Sequence, residues 1–314
     1  MTFPHRHLID ITEYSRDDIM LMLETAERFK EVNERRIKQV PTLKGTTIVN
    51  MFNEPSTRTR SSFEMAEKRL SANSLNFGGS STSTVKGESL SDTVETLCAY
   101  KIDMIIVRDK HAGVPRKIAD LSGVHVIDAG DGKHQHPTQA LLDLYSIWQE
   151  KGTLEGLNVG IVGDIAHSRV CGSLLPALKI MGARTVAIAP PTLLPACPDV
   201  LGADEVTSDL DSVLPDLDVV YMLRVQRERL EGAPFPSLRE YNMLYGLTQA
   251  RDRLMRPDAI VCHPGPINRG VELDSFMADH PERSVILDQV YAGILVRMAA
   301  LYLLLGGSND GIDA

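Results

Sequence analysis

Between the apolar run Thr46-Thr47-Ile48-Val49 and a helix-like stretch opening Ser61-Ser62-Phe63-Glu64 lies Phe52-Asn53-Glu54-Pro55-Ser56-Thr57-Arg58-Thr59-Arg60. A strand that delivers the chain to a helix start aims free backbone N–H groups and the positive end of the helix dipole at whatever sits there. Ser56, Thr57 and Thr59 add rotatable hydroxyls, and Arg58 and Arg60 add planar forks of donors matched to phosphate oxygens. Capping a helix takes one hydroxyl and no guanidinium. The segment therefore predicts an anion site rather than a helix start with a solvated charge run.

Chemically similar groups follow other apolar runs. Arg108 follows Met104–Val107. After Val124–Ile127 come Asp128-Ala129-Gly130-Asp131-Gly132 and His134-Gln135-His136-Pro137-Thr138-Gln139. There Pro137 and Thr138 suit a helix start, His136 can donate to a carbonyl oxygen and Gln139 faces the same turn. Arg169 falls on the first helical turn after Val159–Val162, and Arg224 and Gln226 lie just past Val219–Leu223, with Arg227 and Arg229 suited to solvent. Ligands of open parallel sheets bind at the carboxyl ends of strands, and two guanidiniums from separate strand ends suit a substrate with two carboxylates. The loop Gly78–Ser89 is rich in hydroxyls and holds one Lys, Lys86. Such a composition fits a surface loop and equally one that closes over a phosphate.

Several chemistries are disfavoured. No third residue with metal-ligand spacing accompanies His134 and His136, and there is no G-x-S-x-G elbow, Walker A segment or G-x-G-x-x-G fingerprint. A net charge of −9 argues against nucleic acid or an anionic membrane as the main partner. Cys98, Cys171, Cys197 and Cys262 are too dispersed for a metal knuckle or disulfide framework, which fits a reducing cytoplasm. The first eight residues lack the apolar core of a signal peptide, so no export is expected. The run Ile294–Leu305 is interrupted by Arg297 and is shorter than the ~20 residues a bilayer requires, so it reads as a packed helix.

These residues need a scaffold that ends many strands at one edge. Buried strands are predicted at Thr46–Val49, Met104–Val107, Val124–Ile127, Val159–Val162, Val186–Ile188, Val219–Leu223, Ile260–Cys262 and Val285–Leu287. Helical periods fall at Asp18–Val32, Ser62–Leu70, Ser89–Tyr100, Thr138–Trp148, Val170–Met181, Leu273–Met277 and about Tyr291–Leu305. Alternation of this kind predicts an α/β chain with two doubly wound domains, each a parallel sheet flanked by helices. The expected boundaries are 1–150 with a returning C-terminal helix at 290–314, and 151–289, because a turn-like patch from Lys151 to Gly156 follows the long helix.

Taken together the segments resemble the transcarbamoylases over essentially the whole chain, and within them the aspartate branch. The markers are Ser56-Thr57-Arg58-Thr59-Arg60, His136-Pro137-Thr138-Gln139, Gly163-Asp164 with Ser168-Arg169, Arg224-Val225-Gln226 with Glu228-Arg229, and His263-Pro264-Gly265-Pro266. The ornithine branch shares the first two but typically carries a Ser-Met-Gly loop and a His-Cys-Leu-Pro segment in the second half. The physics agrees, since a dicarboxylate wants Arg169 and Arg224 and a cationic ornithine side chain does not. Three departures stand out. The loop before Lys86 is one residue short, leaving Thr82 and Ser83 as alternatives for the family's serine. Asp109 stands where a His is common, and Cys171-Gly172 follow Val170.

The resemblance implies a carbamoyltransferase that moves the carbamoyl group of carbamoyl phosphate to the α-amino group of L-aspartate, a step of de novo pyrimidine biosynthesis, without metal or organic cofactor. It implies phosphate held by Ser56, Thr57, Arg58, Thr59 and Arg108, with the carbonyl oxygen facing Thr59, Arg108 and His136. Gln139 and the backbone around Pro266 would border the carbamoyl amino group; Arg169, Arg224 and Gln226, with Lys86, would grip aspartate. It also implies a cytoplasmic homotrimer whose sites borrow Ser83 and Lys86 from a neighbouring subunit, alone or in a larger assembly with regulatory or dihydroorotase-like chains. A non-catalytic transcarbamoylase-like subunit is the other reading, and retention of Arg58, Lys86, Arg108, His136, Gln139, Arg169 and Arg224 argues against it.

Overall fold

The structure, a computed structural model, describes residues 3–78, 89–225 and 237–306. Two compact units divide the chain: Met1–Leu142 with Tyr291–Ala314, and Asp143–Val290. The first unit holds β1 (Thr47–Phe52), β2 (Asn73–Phe77), β3 (Met104–Asp109) and β4 (His125–Asp131), all parallel, in the order β2-β1-β3-β4. The second holds β5 (Asn158–Val162), β6 (Arg184–Ile188), β7 (Glu205–Thr207), β8 (Val219–Met222) and β9 (Ile260–Cys262), also parallel, in the order β7-β6-β5-β8-β9. The two doubly wound parallel sheets expected from the sequence are present.

Central strands are Val- and Ile-rich because each buries both faces. In the first unit Val49, Met51, Ile105, Val107 and Val126 pack with Val94 and Leu97 of the helix Leu90–Ala99 and Ile118 of the helix Val114–Ser122. In the second, Val162, Val186, Ile188, Val220, Met222 and Val261 share a core with Leu214, Leu247 and Met277. Each sheet starts at an interior strand. β1 is flanked by β2 and β3, and β5 by β6 and β8, so the winding reverses between β1 and β3 and again between β5 and β8. At such a reversal the exit loops diverge and leave a crevice at the carboxyl ends.

The helix Ile286–Leu304 returns to the first unit from Tyr291 onward. Tyr302 meets Phe29 of the helix Arg16–Glu34 edge-on at 5.7 Å between centroids, and Arg297 stands 4.9 Å over the ring of Phe63. This is the one helix among the described residues long and apolar enough to cross a membrane, and most of it is buried in protein.

One expected strand is absent, and two strands lie outside the predicted set. Val285–Leu287 is no strand: Ser284 makes an isolated bridge to Val261, Val285 N donates to Val261 O at 3.1 Å, and the helix begins at Ile286. A short apolar run at a helix entrance has no period to distinguish it from a strand. β2 and β7 escape the hydrophobic pattern because both are edge strands, β2 reading Asn-Ser-Leu-Asn-Phe with an exposed surface.

Glu67, fully buried on the helix Thr57–Arg69, joins that helix to the sheet by accepting from Asn50 Nδ2 of β1 at 3.0 Å and from the Ser74 hydroxyl of β2. Burial pushes its pKa up to about 7, against the two hydrogen bonds that favour the ionised form. The folded state thus holds a proton between about pH 4.5 and 7 that the unfolded chain has released. Stability falls as pH rises through that window, by on the order of 3 kcal/mol from this group. Glu67→Gln should flatten the fall. Urea unfolding of both proteins at pH 5 and pH 8 checks it; an equal drop in the two would assign the pH dependence elsewhere.

Candidate active site

In the first unit the anion segment occupies the β1 side of the reversal. The helix opens at Thr57, with Ser56 in the N-cap position. Ser89, Ser168 and Ser237 cap their helices by accepting an N–H from Asp92, Cys171 and Glu240. Ser56 in the same position makes no capping bond, so its hydroxyl is not spent on the helix. Thr59 is buried, and Thr57 and Arg58 are exposed at the helix start. Arg60 differs from the expectation of two guanidiniums at the anion: it pairs with Glu64 one turn on, Nε to Oε1 at 3.0 Å.

Arg108 leaves β3 on the other side of the same reversal. Asn53 N donates to Arg108 O at 2.9 Å, which ties the two exit loops together. The Arg108 side chain is largely buried. Its Nη1 donates to Ala129 O at 3.0 Å and its Nε lies 3.4 Å from Glu54 Oε2. The β3–β4 register shifts between Val107 and Asp109, from Val107 opposite Asp128 to Asp109 opposite Asp131, so β4 carries an extra residue beside Arg108. Asp109 is buried and accepts from Asn53 Nδ2 at 2.8 Å and His111 N at 2.8 Å. Asn53, Glu54 and Asp109 thus brace the anion turn. Sequence reasoning gave Glu54 and Asn53 no role; an acid within a basic turn was the available signal.

His136 is buried next to Pro137, the first residue of the helix Pro137–Lys151, and its carbonyl accepts from Gln139 N at 2.9 Å. Gln139 is also nearly buried. His134, by contrast, is half exposed and lies 3.1 Å from Asp131 Oδ2, a turn contact separate from His136. Ser56–Thr59 follow β1, Arg108 is the last residue but one of β3 and His136 follows β4, so all lie at the carboxyl edge of one parallel sheet. Ser83 and Lys86, with Thr82, lie outside the described residues.

The second unit repeats the arrangement. β5 exits through Gly163, whose φ is +128° and where a Cβ would sit 3.0 Å from Leu223 O and 3.1 Å from the Tyr241 hydroxyl. Only glycine allows that backbone and that approach. The turn brings Asp164 and His167 into contact, Oδ1 to Nδ1 at 2.7 Å, and places Arg169 at the first position of the helix Arg169–Ile180. Arg169 is buried; Arg224, just past β8 across the reversal, is partly so. β9 exits into His263-Pro264-Gly265-Pro266, with a cis Gly265–Pro266 peptide and Pro266 exposed. Gln226 lies outside the described residues. Burial, with Asp164 nearby, pushes the Cys171 thiol up to about 12, too high for a thiolate nucleophile at neutral pH.

Among the described residues no cluster of three His, Cys, Asp or Glu side chains could hold a metal ion. At each reversal, where open parallel sheets leave a crevice, the arrangement instead places cationic residues on adjacent strands. Residues 6–149 match the family model described as "Aspartate/ornithine carbamoyltransferase, carbamoyl-P binding domain", and residues 155–304 that of the "Asp/Orn binding domain". The chain is 52% identical to the aspartate carbamoyltransferase catalytic subunit of Syntrophotalea carbinolica, over 98% of each protein. The chain belongs to the aspartate/ornithine carbamoyltransferase family. Its fold matches the crystal structure of aspartate transcarbamoylase from Trypanosoma cruzi in complex with N-(phosphonacetyl)-L-aspartic acid, with a TM-score of 0.87 and 29% identity over 96% of each chain. It matches the ornithine carbamoyltransferase from Pyrococcus furiosus with a TM-score of 0.85 and 28% identity, over 98% of this chain and all of that one. The carbamoyltransferase scaffold is common to both branches.

Proposed function

We propose that this chain is the catalytic chain of an aspartate carbamoyltransferase, transferring the carbamoyl group of carbamoyl phosphate to the α-amino group of L-aspartate and releasing phosphate, in pyrimidine biosynthesis. The observation that carries the reading is the pairing of crevices: hydroxyls, helix N–H groups and Arg108 at the first, Arg169 and Arg224 on adjacent strand exits at the second. The first suits a phosphate and the second a dicarboxylate.

In this reading residues 1–150 with 290–314 bind carbamoyl phosphate, and 151–289 bind aspartate. Ser56, Thr57, Arg58 and Thr59 hold the phosphate with Arg108. Thr59, Arg108 and His136 donate to the carbamoyl oxygen, while Gln139 and the Pro266 backbone hold the amino group. When the uncharged amine of aspartate attacks the carbonyl carbon, the C–N bond forms as the C=O electron pair moves onto oxygen. That oxygen gathers negative charge until the C–O bond to phosphate breaks, and the proton shed by the attacking nitrogen leaves with phosphate. Donors fixed there favour the transition state over the ground state. Orientation of both reactants supplies much of the remainder, on the order of 7–11 kcal/mol for well-aligned groups. Arg169, Arg224 and Gln226 hold the aspartate carboxylates with Lys86.

The working assembly is a cytoplasmic homotrimer in which the loop with Ser83 and Lys86 comes from the neighbouring subunit, alone or joined by regulatory or dihydroorotase-like chains. The reading is tested by comparing kcat/KM for L-aspartate and L-ornithine with carbamoyl phosphate saturating. Aspartate should be preferred by about 10⁴ or more, the scale on which charged and polar sites reject a mismatched partner. Turnover of ornithine in preference would overturn it, and absence of any carbamoyl transfer would favour a non-catalytic subunit.

A further inference from the structure

The second unit contains a buried polar network that none of the roles above uses. Glu272 is fully buried, although it lies in a turn between β9 and the next helix. Its Oε1 accepts from Asn268 N at 2.6 Å and contacts His263 Nε2 at 3.2 Å; its Oε2 accepts from Asn268 Nδ2 at 3.1 Å. The protons of His263 can be assigned from its partners. Gly265 N donates to His263 Nδ1 at 2.7 Å, so Nδ1 is the acceptor and Nε2 carries the hydrogen given to Glu272. A buried carboxylate is tolerated only when donors replace its water, and three are supplied here.

The network has two ends, and both reach backbone at the second crevice. One is the loop Pro264–Ile267, spanned by His263 on one side and Asn268 on the other. The other is Val225, whose carbonyl accepts from Asn268 Nδ2 at 3.1 Å. Val225 is buried and follows Arg224 directly. Behind the loop, His263 N donates to Gln289 Oε1 at 2.9 Å, Gln289 Nε2 to Asp143 Oδ1 at 2.7 Å, and the Tyr221 hydroxyl of β8 to Asp143 Oδ2 at 2.7 Å. The exits of β8 and β9 are thus fixed to one another by side chains, beyond the end of their ladder.

We propose that Glu272, acting through His263 and Asn268, is a positioning residue that sets the Pro264–Ile267 backbone and the Arg224–Val225 backbone in one arrangement for the amine substrate. The proposal rests on the carbamoyltransferase reading of this crevice. Asn268 is its pivot, because one amide nitrogen spends both hydrogens, one on Glu272 and one on Val225 O. Neither residue touches substrate; their effect is on where Arg224 and the Pro266 carbonyls stand.

The polarity of the Glu272–Asn268 bond can be reversed, which separates positioning from simple stabilisation. Glu272→Gln sets an NH₂ group against donors whichever way the amide turns, the Asn268 NH₂ group on one side or Asn268 N–H and His263 Nε2–H on the other, and Asn268→Asp sets two carboxylates together. The double variant restores a bond, Gln NH₂ to Asp carboxylate, but leaves Val225 O facing an oxygen. The wild-type enzyme is first shown to carbamoylate aspartate, so failure of the functional reading is recognised separately. Melting temperature, aspartate KM, kcat and the carbamoyl phosphate dissociation constant are then measured for both single variants and the double variant. Expected are a lowered melting temperature in each single variant that recovers in the double, and an aspartate KM raised about 10- to 100-fold in all three, the scale that small misplacement of a positioning group costs. Carbamoyl phosphate binding should weaken by a smaller factor than aspartate binding, since the Pro266 carbonyls alone among its partners shift. Asn268→Ala, which keeps the backbone N–H to Glu272, gives the same KM effect should a charged variant fail to fold. Aspartate KM returning to the wild-type value with stability in the double variant, or remaining normal in Asn268→Ala, would overturn the proposal.

Discussion

Arg58→Ala should lower kcat by about 10²–10³, the loss typical of removing one preorganised donor to a developing negative charge, while leaving circular dichroism and melting temperature unchanged. The two halves of this expectation have separate causes. Arg58 is exposed at the first turn of its helix, outside the hydrophobic core, so truncation opens no cavity. Its place is nonetheless fixed by a helix start that begins where β1 ends, beside the exit of β3. Arg60 is the internal control: it is committed to Glu64, and Arg60→Ala should change turnover far less. Steady-state kinetics on both variants decide between them. Near-normal turnover in Arg58→Ala would make it a surface charge. The same variant tests subunit sharing: hybrids reassembled from Arg58→Ala and Lys86→Gln chains should regain activity that neither parent has, and inactive hybrids would confine Lys86 to its own subunit.

Arg224→Ala should raise the aspartate KM by about 100-fold or more and leave carbamoyl phosphate affinity nearly intact. One charge-assisted pair in a partly desolvated crevice contributes ~3 kcal/mol, and a hundredfold corresponds to about that figure. The split between substrates follows from the fold, since Arg224 leaves β8 in the second unit and the anion segment leaves β1 in the first. Arg224→Lys should rescue only in part, because a point charge cannot reproduce a planar fork. Substrate titrations of KM and isothermal binding of carbamoyl phosphate check both numbers. Equal weakening of the two ligands would mean that Arg224 supports the fold rather than the amine substrate.

The sequence revealed the strands that bury both faces, because such strands are continuous apolar runs. It did not reveal β2, whose residues are exposed at an edge, or distinguish Val285 at a helix entrance from a strand. The anion segment was legible for a local reason: its hydroxyls, guanidiniums and helix start are consecutive. Arg169 and Arg224 were legible as strand-end cations for the same reason. The brace around Arg108 was not, since Glu54, Ala129 and Arg108 come from three separate stretches. Nor was Glu272, whose partners His263 and Asn268 carry no signal of burial in their own neighbourhood.

The sequence by itself determined the chemistry available at each strand end and the alternation that demands parallel sheets. These are properties of short segments, fixed by residue type and local period. Only the tertiary structure decided which strand ends are neighbours. Strand order depends on packing across stretches of chain too distant in sequence for any local pattern to record, and it is the reversal of that order at β1/β3 and β5/β8 that turns scattered arginines into two crevices.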